Sequence, residues 1–307
     1  MVNHFQSEMV QPIMGIGHSA GGAAIAYLST LHPRLFTSLI LVEAMISEGM
    51  PPQIILPQLR TIVRRKETFP SHSAATQNIA KLPFYATWDP RAVERLKQHG
   101  FTPNSSSTEE VRTTTPKAIE AASFFRSNAK GIGKDGLENL TAEERLEMPD
   151  VDPDAKYLAP VYKAETRIMW DLLPSVRPRV LYVVGDKTAY AVDRLHKRRI
   201  QRTGSGVGGN GGVKAGGVVS KTVEGGGHCI PMDEHVGTVA KYISTWVSDE
   251  KARWEDGVKK RKRELDEKSV EFRQGVDPGL QKVADSWPEM KEKGRVMINP
   301  RRALEKL

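Results

Sequence analysis

Two textures of hydrophobic pattern divide this chain. Continuous apolar runs lie at residues 39–42 (LILV) and 180–184 (VLYVV), and residues 218–223 (VVSKTV) read as a further short strand. Runs of that length without polar alternation predict strands buried on both faces, as in a parallel sheet covered by helices. Ile13, Met14 and Ile16 form another run, which enters a glycine-rich corner and leads into the amphipathic stretch GAAIAYL from Gly22. Residues 51–167 read differently. Segments 54–65, 72–82, 90–99 and 117–126 each predict a helix, with polar loops between them and no strand-like run. Asp89 is placed as N-cap before Pro90 at the first helical position. After the last strand, Val236, Val239, Ile243 and Trp246 recur at helical spacing. Beyond Asp249 dense charge predicts a solvated helix and a tail. This order predicts an α/β fold: residues 1–50 and 168–248 as core with a mostly parallel sheet, 51–167 as a helical lid, and 249–307 as a charged C-terminal helix and tail.

Composition narrows the class. A chain of 307 residues accommodates one large α/β domain with an insertion, or two domains. A hydrophobic fraction of 39% is low for that length, which predicts that part of the chain is solvated. The lone cysteine, Cys229, excludes an internal disulfide framework and suits a reducing compartment. No apolar run approaches the roughly 18 residues of a membrane span, and the N-terminus carries no signal-peptide core. The net charge of +8 raises the question of nucleic acid. Much of the excess lies toward the C-terminus without interleaved aromatics, which reads as a solvated basic face.

The candidate chemistry begins at Gly17-His18-Ser19-Ala20-Gly21. A G-x-S-x-G sequence between a strand and a helix is the nucleophile elbow of α/β-hydrolases, with the serine in a strained turn that exposes its hydroxyl. Gly17 and Gly21 are expected at corners too cramped for a side chain. The helix that follows directs free N–H groups and a positive dipole end at a developing oxyanion, with the Ala20 amide as donor. His228 follows three glycines after the last strand and precedes a helix, which is the place of the triad base. His18 is expected to be a packing and hydrogen-bonding neighbour.

The acid has two candidates. Glu43 sits at the carboxyl end of the 39–42 strand, where catalytic groups collect in open parallel sheets; its other reading is a helix-start partner. Asp186 is the alternative, although it follows Gly185 directly, and the position three residues past that glycine is Thr188. Phe84, Tyr85 and Trp88 are candidates for lining an acyl pocket, or for packing among lid helices. Gly204, Gly206 and Gly209 match GxGxxG by letter, but no strand and helix frame them, so residues 202–219 read as a flexible surface loop. Neither cofactor nor metal is implied, because His and carboxylates do not fall at ligand spacing.

GIGHSAGG, LILVE, PFYATWDPR, TGSGVGGNGG and GGGHCIPM together resemble fungal α/β-hydrolases of the AK-toxin biosynthesis type, over residues 3–247. Those are similar to a peroxisomal lipase group. The resemblance implies a serine hydrolase with a helical lid, an ester, thioester or lipid-like substrate, and a setting in fungal secondary metabolism. It also implies peroxisomal residence, with cytoplasm as the alternative. The terminus Glu305-Lys306-Leu307 shares its last two residues with the S-K-L address, making a peroxisomal import receptor a candidate partner. In that fold the elbow follows the fifth strand, whereas only residues 1–12 precede the elbow strand here. The expectation is therefore a sheet incomplete at the N-terminus, in a chain that is either truncated or has its sheet completed by something else. The loop that supplies the second oxyanion donor would then be missing, which would cost about 10² to 10³ in turnover. A different reading of such a chain is a catalytically impaired hydrolase remnant acting as a binding or scaffold protein.

Overall fold

The computed structural model describes residues 4–49, 52–104, 109–127, 139–147, 161–188 and 193–292. The terminal tripeptide Glu305-Lys306-Leu307 lies outside them. After a short 3-10 turn at Gln6–Glu8, strand β1 (Met14–His18) enters helix α1 (Ala20–Leu31), and β2 (Ser38–Val42) follows. The insertion contributes α2 (Pro52–Arg64), β3 (Thr68–Phe69), α3 (His72–Lys81), α4 (Pro90–His99), β4 (Phe101–Pro103), β5 (Val111–Thr113), α5 (Lys117–Phe124), β6 (Arg126–Ser127), α6 (Ala142–Leu146) and β7 (Val161–Tyr162). The chain then forms α7 (Ala164–Leu172), β8 (Arg179–Gly185), α8 (Asp193–Arg202), β9 (Val218–Val223) and α9 (Val236–Asp266). Two compact units separate at residue 251, and residues 252–307 contain α10 (Val270–Gln274) and α11 (Pro278–Glu292).

The main sheet has four parallel strands in the order β1-β2-β8-β9. All five residues of β2 are buried, and so are the last six of β8, which is why neither shows polar alternation. The pleat sends alternate residues to two cores. Leu39, Leu41, Val180, Tyr182 and Val218 pack with α1 and α7 residues such as Ala23, Ala26, Met169 and Trp170. Ile40, Val42, Leu181, Val183 and Val223 pack with Val239 and Trp246 of α9. Each fully buried Val, Leu, Ile or Met among them contributes about 1.5–3 kcal/mol. The polar exception, Ser38, accepts a 2.6 Å hydrogen bond from the Trp246 indole N–H. Parallel strands put their carboxyl ends together, so Ser19, Glu43 and Gly185 meet at one rim.

Three expectations need correction. The insertion is not free of strands: β3, β5 and β4 form a three-stranded antiparallel sheet, and β6 pairs with β7. Strands of two or three residues are too short to show alternation. The helix expected over 117–126 ends at Phe124 because the buried Phe125 turns extended and leads into β6. The glycine stretch after α8 is stitched down rather than free. Gly204 N–H donates to the Leu173 carbonyl, Gly206 N–H to Pro174 and Asn210 N–H to Val176. The Asn210 amide donates to the Pro178 and Gly217 carbonyls, while its oxygen accepts from Gly212 N–H. Positive φ at Gly204, Gly208, Gly211, Gly212 and Gly216 accounts for the composition that reads as a linker. The tail is also structured: Asp277 accepts from Leu280 N–H at the start of α11.

Candidate active site

Ser19 sits between β1 and α1 with φ 54° and ψ −124°, a backbone state costing about 1–3 kcal/mol that persists only where neighbours enforce it. Its N–H donates to the Val42 carbonyl and its carbonyl accepts from Met45 N–H, each at 3.0 Å. A Cβ at Gly17 would lie 2.6 Å from the Gly21 carbonyl oxygen, and one at Gly22 would lie 2.7 Å from the Ala44 Cβ. Gly21 itself faces open space, so the second cramped corner is Gly22 and not Gly21. Ala20 holds the first position of α1, where the amide has no intrahelical acceptor and points out of the helix end.

His228 reaches this serine from the loop after β9. Its Nε2 accepts from the Ser19 hydroxyl at 2.9 Å, and its Nδ1–H donates to Glu43 Oε2 at 3.2 Å; the two partners define this tautomer. The Glu43 side chain is almost wholly enclosed, and its Oε1 accepts from the Gly185 N–H at 2.7 Å. Glu43 also has a positive φ of 49°, a second left-handed non-glycine residue beside Ser19. Asp186 is used elsewhere: its Oδ1 accepts from Gly225 N–H at 2.8 Å and its own N–H donates to the Val223 carbonyl. It thus closes the glycine turn ahead of His228. Thr188 is buried past the end of β8.

His18 donates from Nε2 to the His228 carbonyl at 2.8 Å, with the two rings 4.9 Å apart. Burial, with a smaller contribution from the facing imidazole, pulls its pKa below the ordinary histidine value, so it holds the loop as a neutral donor.

Phe84, Tyr85 and Trp88 form one cluster with ring centroids 5.0–5.7 Å apart. Asp89 N–H donates to the Met232 carbonyl and Glu234 N–H to the Thr87 carbonyl, strapping this aromatic loop to the segment just after His228. Phe84 is 61% exposed. Burial raises the pKa of the Tyr85 hydroxyl and of the Cys229 thiol, so both stay protonated near neutrality. Among the described residues no group of three or more His, Cys, Asp or Glu is placed to hold a metal ion.

A hydroxyl, an imidazole and a buried carboxylate in series, at a helix N-terminus, are the parts of nucleophilic acyl transfer. No family model matches the chain. By sequence it is 31% identical over 317 residues to the type I acyl-CoA thioesterase mpaH of Penicillium brevicompactum, covering 95% of this chain and 71% of that protein. The chain belongs to the α/β-hydrolases, in one family with these fungal thioesterases. It is a hydrolase acting on ester-type bonds, ester or thioester. A second mpaH, from Penicillium roqueforti, is 32% identical over 83% of the hydrolase and 62% of its own length. The abhydrolase domain-containing protein AKT2 of Alternaria alternata is 25% identical over 79% of the hydrolase and 86% of that protein. The hydrolase thus spans roughly two thirds of the Penicillium relatives, between 62% and 71%. Among solved structures, the peroxisomal α/β-hydrolase Lpx1 of Saccharomyces cerevisiae shares the fold at 14% identity and a TM-score of 0.50, over 96% of this chain and 66% of that one. E-2-(acetamidomethylene)succinate hydrolase shares it at 11% identity and a TM-score of 0.54, over 80% and 70%.

Sequence reasoning did not single out Gly22, the loop carbonyl as the partner of the hydrogen bond expected of His18, or the contacts of α8 described below. The paired glycines Gly21-Gly22 carried a usable signal for the first. The others depend on long-range packing that no local pattern encodes.

Proposed function

We propose that the hydrolase cleaves an acyl ester or thioester through a covalent acyl-Ser19 intermediate. The carrying observation is the continuous hydrogen-bonded series Ser19 Oγ, His228 Nε2 and Nδ1, and Glu43 Oε2. His228 takes the Ser19 proton as the oxygen attacks the carbonyl, then delivers it to the departing alcohol or thiol. Glu43 fixes the Nδ1–H tautomer and stabilises the imidazolium, while Gly185 N–H prevents the carboxylate from rotating away. The Ala20 amide donates to the oxyanion. Water attacks the acyl-serine in a second round with His228 as base, releasing the carboxylic acid.

The aromatic cluster of exposed Phe84 with half-buried Tyr85 and Trp88, tied to the histidine loop, supports an apolar or aromatic acyl group as substrate. The names of the Penicillium relatives support a thioester carrier, and the resemblance to the AK-toxin type supports secondary metabolism as the setting. Peroxisomal residence through Glu305-Lys306-Leu307 belongs to the same proposal, with the import receptor as partner; no described helix is long and apolar enough to cross a membrane. The test compares thiol release from acyl-CoA substrates with phenol release from p-nitrophenyl esters. Turnover of either class that falls about 10⁴-fold or more in Ser19→Ala supports the mechanism. Turnover retained in Ser19→Ala contradicts it.

A further inference from the structure

A buried cation stands behind the acid. Arg199, on α8, is only 3% exposed, and its Nη1 donates to the Ala44 carbonyl at 3.1 Å. Ala44 follows Glu43, whose left-handed φ of 49° is maintained without the freedom of glycine. The same short segment brackets the nucleophile, because the Val42 carbonyl and Met45 N–H bind the two sides of the Ser19 backbone. Arg199 therefore grips the peptide that joins the carboxylate to the nucleophile's own scaffold. A second grip lies further along the loop: Arg198 forms a two-pronged ion pair with Glu48. Arg199 itself is anchored from behind. Its carbonyl accepts from the Thr203 hydroxyl at 2.8 Å, and that hydroxyl lies 2.9 Å from the Tyr182 hydroxyl.

Energetically the arrangement is unusual. Burial pulls the guanidinium's pKa down, opposed by the Tyr182 hydroxyl and the Glu43 carboxylate. An apolar side chain of similar volume would avoid that desolvation. Its Nε has no hydrogen-bond partner among the described residues, so local hydrogen bonding does not fully account for it.

We propose that Arg199 is a positioning residue of the triad, pinning the Ala44 carbonyl so that the Glu43 turn holds, and supplying a fixed positive charge behind the Glu43–His228 pair. The proposal rests on Glu43 being the acid. Glu43, Ser19 and the His18 ring are among the groups facing the imidazole, and Arg199 acts through the first of these.

The test is the rate of Ser19 labelling by a fluorophosphonate as a function of pH, in the full chain, for Arg199→Met, Arg199→Lys, Glu43→Gln and the double variants, with melting temperatures measured alongside. Arg199→Met is expected to slow labelling by about 10²-fold, as a misplaced catalytic group does. It also moves the acid limb of the profile to higher pH, because removing a cation stabilises the imidazolium. Arg199→Lys retains the wild-type acid limb. In the Glu43→Gln background Arg199→Met adds no further loss, since its route to His228 is already cut. A loss that persists undiminished on top of Glu43→Gln, or no loss in a folded Arg199→Met, overturns the proposal. If Arg199→Met does not fold, the polar but uncharged Arg199→Gln, alone and with Glu43→Gln, decides by the same criterion. Failure of the underlying assignment looks different: Glu43→Gln alone would then label at the wild-type rate.

Discussion

At the scale of single residues, the site depends on two non-glycine residues held in left-handed backbone and on glycines that let neighbours approach. The glycines make a sharp discrimination. Gly22→Ala drives a methyl to 2.7 Å from the Ala44 Cβ, so it is expected to destabilise by about 1–3 kcal/mol and to disturb the Glu43 turn. Gly21→Ala meets no atom and gains helix propensity, so its melting temperature is expected to equal or exceed wild type. Thermal denaturation of the two variants checks both. The carboxylates divide as clearly: Glu43→Gln is expected to lower kcat by about 10⁴-fold, while Asp186→Asn retains turnover within about tenfold. His18 adds a pH dependence. Its folded pKa is lowered, so the unfolded chain binds more protons as pH falls through the ordinary histidine range. The stability it contributes is complete above about pH 6.5 and declines below that, toward its folded value. His18→Gln, measured by melting temperature between about pH 7 and 5, is expected to lose less stability on acidification than wild type does.

At the scale of elements, what could be read from the sequence depended on how local the cause was. Strands β2 and β8 announce themselves because burial on both faces forces an unbroken apolar run. The elbow announces itself because tight geometry restricts residue type at several adjacent positions. Strands β3 to β7 do not, because two or three residues carry no period and their pairing partners lie far along the chain. The stretch after α8 misled for the opposite reason: many glycines look like a linker, yet here they occupy positive-φ positions in a loop fastened to residues 173–178. Asn210 is the centre of that fastening. Asn210→Ala removes three hydrogen bonds and is expected to destabilise by about 1–3 kcal/mol, read as a lowered denaturant midpoint with unchanged m-value.

At the scale of the whole molecule, the site is assembled from residues 209 positions apart in sequence, brought to one rim by the parallel order β1-β2-β8-β9. Chain order and the place of each residue at a strand end pointed to Ser19 and His228 and left Glu43 and Asp186 as the two candidates for the acid, with Glu43 preferred. The choice of Glu43 over Asp186 was open there; the hydrogen bonds of Glu43 to His228 and Gly185, and of Asp186 to Gly225, give it a geometric basis. Arg199 remained invisible, being one of several cations in a charged helix, and its burial is set by packing. The central claim is that His228 activates Ser19 and no other nucleophile. It is tested most directly by reacting the full chain with a fluorophosphonate and locating the adduct by peptide mass spectrometry. One adduct per chain is expected, on Ser19, formed about 10³-fold or more slowly in His228→Ala. An adduct on a different residue, or on Ser19 at the same rate without His228, would contradict it.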